Sequence, residues 1–239
     1  MKHTYLSSSL YINKKSDPFF LREVLLVISG LFILLEYLGS RLYNAGSYNP
    51  FYSLLSLQAF FLIFYAASVS ASIAKEISSG QLGFLFVSII PRRYYLFLSA
   101  LFPALSISLL FLIPAGILQY VIYNGLHWGT LFFLFSLLFV SAFLYISVGL
   151  LISVILKSQI FSIFAIIVGF TLGQIYAFIY FPKNNLGQFL MAGYGQISSF
   201  SENSNVYNYG ALIYLVLSLI ILFALYPLLI RIGIKSGRS

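Results

Sequence analysis

The chain has no cysteine, two histidines and one tryptophan in 239 residues, and only 8% of its side chains are charged. Without cysteine there are no disulfides, thiolate nucleophiles or cysteine metal sites. His3 and His127 are too few and too badly placed to hold a haem between two helices, and the acidic residues form no cluster suited to a metal. Serine proteolysis inside a membrane needs a histidine or lysine at membrane depth, which neither histidine supplies. No G-x-x-x-x-G-K-[ST] occurs, and the tail GIKSGRS lacks that spacing. The expectation is therefore a chain that is not an enzyme, with no catalytic residue, cofactor or metal of its own. The scarcity of charge excludes still more, because a soluble domain carries about 25% charged residues to coat itself. With 61% hydrophobic residues and a mean hydropathy of +0.99, this chain needs the bilayer as its solvent.

What is present is a series of long apolar runs. A spanning helix takes about 20 such residues, and six segments qualify, near 19–41, 51–74, 95–122, 130–156, 159–181 and 210–230. Their unbroken hydrophobicity predicts an all-α, polytopic protein rather than a barrel, whose strands must alternate. The first run opens with Asp17 as N-cap and Pro18 at the first helical position. Lys14, Lys15, Asp17, Arg22 and Glu23 stand before or at the start of it, unlike a cleaved signal peptide. In a six-helix arrangement, one side receives all of the 13 Lys and Arg residues except Arg41 and Lys183. By the positive-inside rule, the segments 1–18 and 75–94, the turn at Lys157 and the tail 231–239 are then cytoplasmic, with both termini inside. The same placement accounts for the net charge of +8 without nucleic acid. Connections are short, so residues 1–239 read as a single transmembrane domain.

Two connections stand out. The inner 75–94 segment mixes charge, glycine and apolar residues, as a short helix lying on the membrane surface does. The outer 182–209 segment is rich in Asn, Ser, Gly and Tyr around the apolar patch Phe189, Leu190, Met191, which suits a dip into the outer interface. Within the runs, Ala67 and Ala71 recur at one-turn spacing, and Gly169 with Gly173 forms a GxxxG. Both patterns predict close helix packing, for the glycines within the chain ahead of a subunit interface. Pro103 and Pro114 predict kinks in the third helix. Glu36 is a possible intramembrane polar site: it either couples transport to protons or lies at the outer interface, hydrogen-bonded or paired with Arg41.

The segment Glu76 to Leu105, EISSGQLGFLFVSIIPRRYYLFLSALFPAL, resembles the ABC-2 type permease family of ATP-binding cassette transporters. In that family a Glu and a Gly follow the second helix, an apolar stretch comes next, and a Pro with basic residues leads into a third helix bearing an early Pro. Glu76, Gly80, Pro91, Arg92, Arg93 and Pro103 occupy those places, whereas Gly83 stands where the family has an acid. The resemblance implies the membrane subunit of an exporter in the plasma membrane. It would pair with itself or a similar permease and with cytoplasmic ATPase subunits that hold ATP and Mg, the 75–94 segment acting as the lever they move. Glu76, Gly80, Pro91, Arg92 and Arg93 would be the coupling residues, with topology anchoring as the plainer use of the two arginines. Two other classes fit the same residues: a non-catalytic assembly subunit of a membrane complex, and a proton-coupled secondary transporter using Glu36. The uncharged path carries no residue that selects among drugs, peptides, lipids and polysaccharides.

Overall fold

The computed structural model describes residues 50–80, 92–123, 125–126, 128–180 and 213–228, together with single positions 24, 28, 31 and 35. Among these residues the chain is helical apart from the turn residues 79–80, 125–126 and 157–158, with no strand. Four long helices are described: α1 (Pro50–Ser78), α2 (Arg92–Tyr123), α3 (Trp128–Leu156) and α4 (Gln159–Tyr180). A fifth, α5, runs over Ile213–Leu228. Among the described residues, three stretches are long and apolar enough to cross a membrane: Phe61–Ser78, Tyr95–Ile117 and Leu134–Leu156, at mean hydropathies of 1.2, 2.4 and 2.5. In α4 and α5 the described apolar lengths Gln159–Gly173 and Ile213–Leu228 are shorter. Of the first expected span only Val24, Ile28, Leu31 and Leu35 are described, all four helical. Glu36 and the 182–209 and 231–239 segments lie outside the described residues.

The helix ends follow from local chemistry. Pro50 opens α1, where its missing N–H costs nothing. α1 outlasts the expected boundary at residue 74 and takes in Lys75 and Glu76, because its true stop signal is Gly80 at φ 71. The Ser79 N–H bonds the Lys75 carbonyl at 2.9 Å, and the Gly80 N–H bonds the Ile77 carbonyl at 3.3 Å. Carbonyls orphaned by the helix end are satisfied in this way, and glycine is the residue that takes a positive φ without strain. α2 likewise begins at Arg92, so both ends of the expected 75–94 segment are helical and the link between the two helices is residues 79–91, of which 81–91 lie outside the described residues. Between α3 and α4 the chain turns in two residues. Lys157 sits at φ 54 with its N–H on the Ser153 carbonyl at 2.9 Å, and the Ser158 carbonyl receives the Ser162 N–H at 3.0 Å as the next helix starts. α2 continues as one helix through Pro103 and Pro114, which deprive the Ser99 and Leu110 carbonyls of their usual helical donors.

The bundle is built around α1 and α3. α1 packs along α3 and α4, α2 lies mainly on α3, and α4 also touches α3. On α2, Leu96, Ala100, Ala104, Ile107, Phe111 and Ala115 are buried at three- and four-residue spacing, one face of a helix. The core is rich in small and hydroxyl residues: Ala67, Ala71, Ser70, Ser108, Ser147 and Ser218 are all buried. Phe223, Ile160, Trp128 and Phe132 are meanwhile 84%, 79%, 74% and 73% exposed. In water that arrangement exposes large rings at the expense of serines. In lipid it is favourable, because hydrocarbon solvates the rings while small residues let backbones approach.

Several buried hydroxyls are satisfied within their own helices, whereas those of Ser153 and Ser162 have no hydrogen-bond partner among the described residues. Ser108 donates to the Ala104 carbonyl at 2.6 Å, Ser147 to Phe143 at 2.7 Å and Ser218 to Tyr214 at 2.7 Å. Ser70 differs: its Oγ crosses from α1 to donate to the Ile146 carbonyl of α3 at 3.2 Å. The crossing depends on Gly149, where an added Cβ would lie 2.9 Å from the Ser70 Cβ and 3.3 Å from the Ile166 Cδ1. α1, α3 and α4 therefore meet at one glycine.

Candidate functional site

The strongest concentration of predicted site residues lies where α1 ends and α2 begins. α1 brings an adjacent Lys75 and Glu76 into its last turns, and helical geometry sends the two side chains in different directions. Lys75 is exposed; Glu76 is only 8% exposed. The Tyr95 hydroxyl, at the fourth residue of α2, donates to Glu76 Oε2 in a buried hydrogen bond. A carboxylate in the last turn of a helix is opposed by that helix's dipole, but the neighbouring N-terminus of α2 presents positive partial charge and compensates it. Glu76 thus fastens the end of one helix to the start of the next and closes the 79–91 link at its base.

Gly80 stands two residues past α1 with open space around its Cα, so its conformational role and not packing calls for glycine. Arg92 and Arg93 are the first two residues of α2, which has no acid in its first turn. Two cations at a helix N-terminus oppose the dipole, each at a cost of about 0.3–1 kcal/mol. Helix stability therefore does not explain them. Pro91 and the side chains of Arg92 and Arg93 lie outside the described residues.

The predicted packing residues divide. Ala67 and Ala71 are 1% and 0% exposed within the core. Gly169 and Gly173 are exposed, and a Cβ added to either meets nothing within 4 Å. Among the described residues, then, the expected intramolecular packing at the GxxxG is absent. The close approach sits at Gly149, whose partner Ser70 lies far away in sequence.

Among the described residues, two clefts lie beside α2. One of about 330 Å³ lies between its first turns and α5, lined by Leu96, Phe97, Leu219, Leu222, Phe223 and Tyr226. The other, about 790 Å³, runs between the second half of α2 and the first turns of α3. Both are overwhelmingly apolar. Neither has the paired acids, bases or nucleophiles that bond-breaking chemistry uses, so their physical capacity is to accommodate hydrocarbon.

Tyr95 and Gly149 carry more of this geometry than any residue singled out from sequence. A signal for Tyr95 exists, since an acid drawn below the surface at one end of a helical hairpin needs a donor in the first turn of its neighbour, and Tyr94-Tyr95 is there. Gly149 has no such signal: it is one glycine in an apolar run. Comparison with models of known families, with curated proteins and with solved structures returned no match.

Proposed function

We propose that this chain is the membrane-spanning subunit of an ATP-binding cassette exporter of the ABC-2 type, driven by separate cytoplasmic ATPase subunits. The observation that carries the proposal is the Glu76–Tyr95 bond closing the 79–91 link. A link that transmits force from an external motor must have rigid ends, or the motion dissipates within it. A hydrogen bond to a charged partner, buried between two helix termini, supplies that rigidity. Gly80 supports the same reading by ending α1 abruptly, and the helix-opposing Arg92 and Arg93 stand where an acidic groove of a partner would receive them.

Roles within the motif are thereby revised. Glu76, assigned by resemblance to coupling, serves as the internal fastener, since its carboxylate faces α2 and not the solvent. Contact with the ATPase falls to Arg92, Arg93 and the exposed Lys75. The chain would work as a pair of permeases with two ATPases, the helices that face the pair interface shifting as the ATPases close.

The test is co-purification from gently solubilised membranes. The expected result is an ATPase subunit containing a Walker A sequence that accompanies the chain and is lost on joint Arg92→Ala and Arg93→Ala substitution, with insertion unchanged. A chain that purifies without any ATPase, while retaining its fold, favours the assembly-subunit class instead. If transport is found and is abolished by Glu36→Gln with the ATPase still bound, the proton-coupled class prevails.

A further inference from the structure

We propose that the larger cleft, between α2 and α3, seats one acyl chain of a membrane lipid. This inference stands apart from the exporter reading and rests on different residues. The wall from α2 is formed by Leu109, Ile113, Gly116 and Tyr120, a stripe at three- and four-residue spacing; Trp128 and Phe132 face them from α3. From Leu109 to Tyr120 the stripe extends about 16 Å along the helix axis, at 1.5 Å per residue. That is about half of a hydrocarbon layer roughly 30 Å thick, or the depth of one leaflet.

The ends of the cleft differ in chemistry. Its inner end, lined by Leu109, Leu112 and Phe135, is wholly apolar and lies inside the stretches Tyr95–Ile117 and Leu134–Leu156, which are apolar enough to cross a membrane. Its open end carries Tyr120 and Trp128, 61% and 74% exposed, at the helix termini opposite Arg92, Arg93 and Lys157. Tyrosine and tryptophan settle at the headgroup boundary because they pair an apolar ring with a polar tip. The cleft therefore runs from the headgroup level into the leaflet interior, the direction an acyl chain takes. Gly116 creates the depth, since the nearest side chain to its absent Cβ is Leu126 at 4.0 Å.

Water does not fill an apolar recess.

The chain's single tryptophan makes the site readable, for Trp128 stands on the rim. The full chain is reconstituted in phosphatidylcholine vesicles containing a phosphatidylcholine brominated at mid-chain, and Trp128 fluorescence is recorded. Quenching in the native chain is expected to be at least twice that in Gly116→Phe, whose ring occupies the recess. Native mass spectrometry after detergent extraction is expected to retain one phospholipid per native chain and none in the variant. Ile113→Phe, at an exposed wall position, gives the same comparison if Gly116→Phe does not insert. Equal quenching in native and filled chains means ordinary boundary lipid and overturns the proposal. Absence of quenching in the native chain, with or without a second copy bound, means that protein covers the cleft, and overturns it equally.

Discussion

At the scale of single residues, the bond between Tyr95 and Glu76 is the contact with the clearest consequence. Tyr95→Phe removes the hydroxyl but keeps the ring, leaving a buried carboxylate without that donor. Such a loss costs about 1–3 kcal/mol, so the thermal midpoint of detergent-solubilised Tyr95→Phe is expected to fall, and an unchanged midpoint would show that the bond contributes nothing. If the bond also serves as the fastener of the link, Tyr95→Phe uncouples transport from ATP hydrolysis even where the ATPase remains bound. The two residues at positive φ make opposite predictions. Gly80→Ala places a Cβ in the left-handed region, at a cost of about 1–2 kcal/mol. Lys157→Gly relieves the same strain at φ 54 and raises the midpoint.

At the scale of helices, the contact of α1 with α3 is set by one missing side chain. An alanine at Gly149 puts its Cβ 2.9 Å from the Ser70 Cβ, which is rooted in the backbone and cannot swing aside. The helices must separate, at about 1–3 kcal/mol. Ser70→Gly in the Gly149→Ala background is expected to recover part of that loss, and a double-mutant cycle measures the coupling. α4 behaves in the other way. Gly169→Ala and Gly173→Ala meet no described neighbour, so each is expected to gain about 0.5–1 kcal/mol through reduced backbone entropy in the unfolded chain. A loss on either substitution would reveal a partner packed on that face.

At the scale of the whole molecule, the prediction concerns orientation. The chain has no native cysteine, so one cysteine at a time reports its side without background. Lys157→Cys is expected to react with an impermeant maleimide from the cytoplasmic side only, and Leu126→Cys from the outer side only; the reverse pattern would overturn the assignment of the 79–91 link to the ATPase side. The sequence by itself determined that the protein is helical and belongs in a membrane, and roughly where α1 to α5 lie. Hydrophobic length and the shortage of charge are properties of each segment alone, so they need no knowledge of its neighbours. Helix ends were less legible, because Lys75 and Glu76 look like loop residues until Gly80 is seen to supply the stop. Only the tertiary structure decided that Glu76 turns inward to Tyr95, that Ser70 meets Gly149, and that Gly169 and Gly173 face outward. In a chain this uniformly apolar, none of α1 to α4 has a polar stripe to declare which face is buried. The choice of neighbours then rests on small differences in side-chain volume between distant positions, and these take effect only when the helices pack.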